Sequence, residues 1–437
     1  MTDEQLLRFL IQLTVLFLAA RIGGEIAARL KLPLHVGELS MGILLGPSLL
    51  GWVWPGAFAS LFPADAATRS LLDVVSWTGV IMLALLAGLE MRLGILRTAG
   101  RAVLGGWIGG FGLPFAAGLA LGILAPDVLV PAGVDRPVFA LFLATAMSIS
   151  AIPVIARILM DLDLYGTRLG MVILSTAIAD DTVGWIVLAV VAGLAGGALE
   201  LGPILRTVLL TAAFVGGACT IGRILVDRAI RASRRLRVPF GELSTMLMLV
   251  FAFGALTQWI GVHLVLGAFV AAILIGRESD LDPDSVAAVR HLGMGFFVPF
   301  FFAYTGIKVD LTTLRGSALG FAAAAVLVAC VSKIVGGWAG TRLGGLPHWE
   351  ALAVGFGLNA RGAMELVIAA IGLSIGVLNG PTYATIVLIA VLTTVMAAPL
   401  LQVCARRAGV MADGSDRPVG YPAPNLPPHG DGTARPA

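Results

Sequence analysis

Charge is scarce in this chain: Asp, Glu, Lys and Arg make up 13% of its 437 residues, against roughly 25% in soluble domains. Together with a hydrophobic share of 58%, that deficit excludes an ordinary soluble globule and indicates a polytopic membrane protein. Cysteine is nearly absent as well. Cys219, Cys330 and Cys404 stand at unrelated spacings within or at the end of apolar segments, so neither a disulfide framework nor a metal motif is expected, and they read as small packing residues. The net charge of +3 is small and the arginines are spread through short connections, which argues for topology signals and against a nucleic-acid partner. Glycine is abundant instead, with 55 residues, as close helix packing in lipid requires.

With about 20 apolar residues needed per bilayer crossing, the chain divides into about thirteen spans, near 5–29, 34–51, 70–90, 100–125, 136–159, 166–196, 203–226, 242–259, 261–276, 289–306, 317–341, 349–374 and 381–403. The first follows Asp3 and Glu4 and carries Arg8, so it reads as a retained span and not as a cleaved signal. Only "TQWIGVH" divides the eighth from the ninth. Residues 1–404 form the membrane domain on this reading, and the Pro- and Gly-rich tail, 405–437, is expected to be disordered. Basic residues gather in alternate connections: Arg29 and Lys31; Arg92, Arg97 and Arg101; Arg157 and Arg168; Arg223 to Arg237; Arg342; Arg406 and Arg407. The positive-inside rule then places the N-terminus outside and the tail in the cytoplasm, in the plasma (inner) membrane.

Two spans carry helix-breaking sequence at depth. In the fifth, "ATAMSISAIPVIARIL" sets Thr145, Ser148 and Ser150 before Pro153, which lacks an N–H and disfavours helix in the preceding residue. In the twelfth, "VGFGLNARGAMELV" combines three glycines with Asn359, Arg361 and Glu365. Their odd offset of seven spans implies opposite orientations, as an inverted repeat of about 5–196 and 242–403 would give. Broken helices at matching places in inverted halves point to a binding site at the midplane.

Five ionisable residues fall well inside spans: Asp180, Asp181, Lys333, Arg361 and Glu365. Each charge at the bilayer centre costs about 2.5 to 3.5 kcal/mol on insertion scales, so all five are expected to face protein or water. Adjacent helical residues point about 100° apart, and the two aspartates of "STAIADDTVGW" therefore cannot share one partner. One can meet Lys333, in "CVSKIVGGWAG", while the other serves as a proton or cation ligand. A desolvated carboxylate with hydroxyl and carbonyl oxygens around it suits sodium, lithium or potassium. Desolvation and like charge raise a carboxylate pKa in general, and a cationic neighbour lowers it, so such a site can trade proton for cation near neutral pH. Arg361 and Glu365 can form an i, i+4 pair or neutralise the half-helix ends of their own span.

In order, "VGELSMGILLGPSLLG", "LALLAGLEMRL", "ADDTVGW", "FFVPFFFAYTGIKVD", "SKIVGGWAG", "LNARGAMELVIAAIGL" and "LTTVMAAPLL" resemble the monovalent cation:proton antiporter superfamily, in its cation:proton antiporter-2 branch, over nearly all of residues 5–403. The resemblance implies an all-α sodium/proton antiporter-like fold with two crossed discontinuous helices, a homodimer in membrane lipid, and a six-helix core moving against a dimerisation domain. It implies that Asp181 binds Na⁺ or K⁺ and H⁺ in turn, that Asp180 pairs with Lys333, and that transport is electrogenic. Many potassium-releasing relatives carry a nucleotide-binding domain after the last span. Here only about 34 residues follow Val403, without a Gly-rich fingerprint, so neither nucleotide gating within this chain nor a cofactor is expected.

Other classes fit less well. An intramembrane aspartyl protease needs its two aspartates on different spans, and a prenyl transferase needs further Asp-rich motifs to hold Mg²⁺. A cation channel, revealed by single-channel currents, and a sodium-coupled organic-anion symporter, revealed by labelled-anion uptake, are the alternatives of related architecture. Lys333 and the acidic pair disfavour the symporter.

Overall fold

The computed structural model describes residues 2–30, 32–63, 66–90, 100–165, 167–194, 201–235, 239–260, 264–277 and 281–411. Lys31, Arg92, Arg97 and Arg237 of the basic connections, and the tail from residue 412, lie outside the described residues. The described chain is helical: α1 (Asp3–Arg29), α2 (Leu34–Leu45), α3 (Leu50–Val53), α4 (Pro55–Leu61), α5 (Ala66–Glu90), α6 (Arg101–Ile123), α7 (Arg136–Ser148), α8 (Ile152–Asp161), α9 (Arg168–Leu194), α10 (Leu201–Gly217), α11 (Arg223–Ser233), α12 (Gly241–Trp259), α13 (Leu264–Ile275), α14 (Pro283–Leu292), α15 (Val298–Ile307), α16 (Ser317–Leu343), α17 (His348–Leu358), α18 (Ala363–Ser374) and α19 (Gly380–Arg407). One-turn π-helical insertions join α10 to α11 and α14 to α15.

Among the described residues, 10 helical stretches are long and apolar enough to cross a membrane. The fifth, ninth and twelfth expected spans are made of shorter pieces: α7 with α8, α13 alone, and α17 with α18. The last helix runs through Arg407, so the tail begins later than the expected residue 405.

Helix packing sorts the chain into two bodies. One groups α1, α2, α5, α12, α13 and α15; the other groups α6, α7, α9, α16, α17 and α19, with α18 against α19. Small residues hold the second body together. A Cβ on Gly109 of α6 would stand 2.1 Å from the Gly336 carbonyl oxygen of α16, so α6 and α16 touch backbone to backbone, as helices in lipid do through small-residue faces. That contact fixes α16, and with it Lys333, inside the second body.

Both breaks fall where the sequence carries them. After Ser148 the backbone turns extended at Ile149, and α8 resumes after Ala151 with Pro153 in its first turn, where proline's missing N–H costs nothing. After Leu358 the chain leaves the helix and re-enters through Gly362, at φ 156° and ψ −117°, a conformation open to glycine alone. The two breaks cross, and the Ala151 amide donates to the Ala360 carbonyl at 3.3 Å.

Candidate functional site

A broken helix leaves its last carbonyls without intrahelical partners and with a partial negative charge. At the end of α7 those carbonyls are taken by cations. Arg361 donates to the Met147 oxygen at 2.6 Å and to the Ala146 oxygen at 3.3 Å, and the Lys333 ammonium donates to the Ser148 oxygen. Arg361 also pairs with Glu365 at 3.1 Å. This i, i+4 pair, one of the two arrangements the sequence offered, runs from the break into the first turn of α18, and Arg361 also meets the carbonyl end of α7, the other broken helix. Its backbone is held too, because the Thr394 hydroxyl of α19 donates to the Arg361 carbonyl.

Lys333 in turn meets Asp180. Its Nζ lies 2.7 Å from Asp180 Oδ2, which also accepts from the Ser150 hydroxyl at 2.8 Å. Ser150 stands in the extended stretch of the first break and lies 3.2 Å from the Leu358 carbonyl at the end of α17, so one hydroxyl links both breaks to the carboxylate. Glycine lets α9 come this close: a Cβ on Gly184 would lie 2.2 Å from Ile149 Cγ1.

Asp181 is placed differently. Like Asp180, Lys333, Asn359 and Arg361 it is fully buried, yet neither of its carboxylate oxygens has a hydrogen-bond partner. Trp185, one turn on, bears on this carboxylate through its indole N–H but does not reach hydrogen-bond geometry. The side-chain oxygen and nitrogen of Asn359 are also buried without partners, and the nearby Cys330 thiol does not satisfy them. Unpaired buried polar groups are expensive, at about 1–3 kcal/mol each and more when charged, and those of Asp181 and Asn359, with Asp180 Oδ1, gather around this crossing.

The structure brings Ser150, Asp180 and Lys333 into one hydrogen-bonded cluster and links Arg361 with Glu365 beside it. Thr145 and Ser148 do not join through their hydroxyls, which donate back to Leu141 and Ala144 of their own helix at 2.7 Å each; Ser148 contributes its carbonyl instead. Glu38 is buried in the first body, packed near Gly24 of α1. Sequence reasoning passed over Thr176, fully buried one turn before Asp180 with an unpartnered hydroxyl, and Thr394. The helical spacing of Thr176 to Asp180 was the available signal for the first; nothing local could have flagged the second.

Comparison with known proteins agrees with this architecture. The family model described as "Sodium/hydrogen exchanger, transmembrane" matches residues 13–404. Cation/H(+) antiporter 18 of Arabidopsis thaliana is 33% identical over 409 residues, covering 91% of this chain and 49% of that protein. Na(+)/H(+) antiporter NhaS4 of Synechocystis is 32% identical over 407 residues, covering 92% of this chain and 98% of the relative. K(+)/H(+) antiporter 1 of Saccharomyces cerevisiae is 28% identical, with 92% of this chain and 47% of that protein covered. The chain thus spans about half the length of several relatives and nearly all of another. In fold it is similar to the sodium proton antiporter MjNhaP1 from Methanocaldococcus jannaschii, with a TM-score of 0.62 at 15% identity over 93% of this chain and 99% of that one. By the extent of the family match and by these relatives, the chain is a multi-span membrane protein that belongs to the transmembrane sodium/hydrogen exchanger family.

Proposed function

We propose that this protein is a secondary active antiporter that exchanges a monovalent cation, Na⁺ or K⁺, for protons by alternating access. The observation that carries the reading is Asp181, wholly buried with both oxygens unpartnered, beside a neighbouring aspartate whose pairing is complete at one oxygen. Charge balance supports it. Asp180, Asp181 and Glu365 supply three negative charges to the buried cluster, and Lys333 and Arg361 supply two positive ones, so the ionised site is one positive charge short. A proton or one monovalent cation makes up that deficit, and both cannot do so together without leaving excess positive charge in a low-dielectric interior. Competition of this kind is what couples the two fluxes.

On this reading Asp181 is the alternating ligand, Asp180 holds Lys333, and Ser150 and Asn359 orient the crossing or lend it hard oxygen donors. In the cation-bound state Lys333 also gives up its proton, leaving one negative charge uncompensated there, so two protons move for each cation and transport is electrogenic. The body containing α6, α9, α16 and the broken helices moves against the body built on α1, α2, α5, α12, α13 and α15. The latter body forms a homodimer in the plasma membrane, with the N-terminus outside, and residues beyond the last helix form a cytoplasmic tail. Relatives named for Na⁺ and for K⁺ both match, so the test is exchange in proteoliposomes under an imposed pH gradient with Na⁺, Li⁺, K⁺ and Rb⁺ compared. Cation-dependent proton movement supports the proposal. Passive single-channel currents, or no exchange with any of the four ions, would overturn it.

A further inference from the structure

On the side of the chain's N-terminus lies a cavity of about 940 Å³, and no residue of the buried charged cluster lines it. Its walls come from α1, α4, α5 and α15 and, in the second body, from Ala370, Leu373 and Ser374 of α18. Cavities of about 300–1,000 Å³ are the size that takes drug-sized molecules, and a single cation with its oxygen ligands needs far less room. Most of the surface is apolar, with Phe58, Phe62, Trp77 and Phe301 supplying aromatic rings. The polar groups are few. Asp73 of α5 is already satisfied: Lys308 Nζ lies 2.8 Å from its Oδ1, the Tyr304 hydroxyl donates to the same oxygen at 3.0 Å, and the ammonium sits 4.3 Å from the centroid of the Tyr304 ring. Arg69, one turn before Asp73, is exposed and pairs with no carboxylate among the described residues. Gln12 gives its Nε2 to the Leu61 carbonyl at 2.7 Å and keeps a buried, unpartnered Oε1.

Among the described residues, then, the ionisable side chains of this lining are two cations and one carboxylate, Arg69, Lys308 and Asp73. The passage of a cation does not account for a lining of net positive charge. We propose that the cavity is a binding site for a small amphiphilic anion, a carboxylate or similar monoanionic group on an aromatic or aliphatic body that also carries a hydroxyl or amide N–H. The apolar walls take the body, the Arg69 guanidinium takes the anionic group, and Gln12 Oε1 accepts from the donor. An organic cation of the same shape fits worse. Lys308 already occupies both the carboxylate and the aromatic face that an ammonium would use, and a second cation would also face Arg69. A ligand seated here touches α5 and α15 of the first body and α18 of the second together, so it opposes their relative motion. That consequence for transport rests on the exchange reading above, but the binding itself does not.

The test reads binding and not transport. Full-length protein in nanodiscs of zwitterionic lipid is melted over a series of concentrations of 6-hydroxy-2-naphthoate, and Kd is taken from the rise in melting temperature. This anion is expected to stabilise the protein saturably. Its methyl ester and the matching naphthylmethylammonium should each bind about tenfold more weakly, for the loss of one charge-assisted contact. Arg69→Gln should weaken the anion about tenfold and leave the ester unchanged. Asp73→Asn, which releases Lys308 from its pair, should tighten the anion about tenfold, a gain that damaged folding cannot imitate. Ala370→Trp, which fills the cavity from α18, should abolish saturable binding. No saturable stabilisation by the anion, an ammonium that binds as tightly, or an anion affinity unmoved by Asp73→Asn or by Ala370→Trp would overturn the proposal. An absence of ion exchange would bear on the exchange reading alone.

Discussion

Replacing Lys333 with Gln separates its two possible duties, neutralising Asp180 and carrying a proton. In the structure Lys333 Nζ is fully buried, 2.7 Å from Asp180 Oδ2, and also donates to the Ser148 carbonyl. Removing one member of a buried pair costs about 3–5 kcal/mol. Glutamine retains a donor for Asp180 and Ser150 still donates to the same oxygen, so the lower figure, about 3 kcal/mol, is the expected loss of stability. The variant should fold, with a clearly reduced melting temperature. Voltage reads the other duty. One net charge moved per cycle is worth about 2.3 kcal/mol at 100 mV, which shifts the exchange equilibrium about 50-fold. In liposomes with the potential clamped at zero and at about −100 mV, the parent is expected to show that shift. Lys333→Gln should exchange one for one, perceptibly more slowly, with a ratio near unity between the two potentials. A destabilised variant that keeps the parent's voltage dependence would refute the proton-carrying role and leave Lys333 as a counter-charge for Asp180.

Four other outcomes are expected. Asp181→Asn should insert and fold normally, since the side chain gives up no hydrogen bond and a neutral amide is cheaper to bury, but it should abolish exchange; cation-driven proton movement by this variant would sink the assignment. Ser150→Ala and Asn359→Ala should each weaken apparent cation affinity more than maximal turnover, in Michaelis curves measured with the preferred ion, because neither group carries the proton. Gly362→Ala should lower stability by several kcal/mol, since the φ of 156° alone costs about 1–3 kcal/mol and its Cβ would meet His35 and Val154; normal expression and melting would contradict the geometry. Lys308→Gln, at the cavity, should change stability by less than about 1 kcal/mol, because its pair with Asp73 is about one-third exposed at either partner.

Much of the site was legible because the bilayer makes every buried charge conspicuous. Asp180, Asp181, Lys333, Arg361 and Glu365 each interrupt an apolar run, and Pro153 and Gly362 mark where helices must break. Pairing was only half legible. The 100° between adjacent residues required different partners for the aspartates, but which of them meets Lys333 depends on the rotation of α9 against α16, set by contacts such as Gly109 on Gly336 and Ile149 on Gly184. Hydroxyls misled for a related reason. Thr145 and Ser148 lie before the break, still in helix, where the i−4 carbonyl is within reach; Ser150 lies after it, in extended backbone, and has only other elements to bond. Thr394 was out of reach altogether, since its hydroxyl acts on the Arg361 carbonyl, far away in sequence, from a helix that looks apolar and ordinary.

The order of these dependencies also answers why two carboxylates stand together. A break in α7–α8 exposes carbonyls, and carbonyls at a helix C-terminus attract cations. Arg361 and Lys333 occupy them, which brings two positive charges into a dry interior. Glu365 compensates the first and Asp180 the second, so the scaffold of the crossing is neutral before any ion arrives. A single aspartate at this point would be spent entirely on that neutrality. The second, turned about 100° away by the helix, is left outside the pairing with both oxygens unpartnered, and only a charge that the protein does not itself contain can complete it. On the proposed exchange reading, Asp180 therefore stabilises the site and Asp181 is left for a positive passenger. Exchanging the two roles by mutation should fail for that reason: Asp180→Asn strands the Lys333 charge and costs about 3–5 kcal/mol, whereas Asp181→Asn strands none. Melting curves of the two single variants, measured side by side, check this asymmetry, and equal losses of stability would show that the pairing read from the structure is wrong.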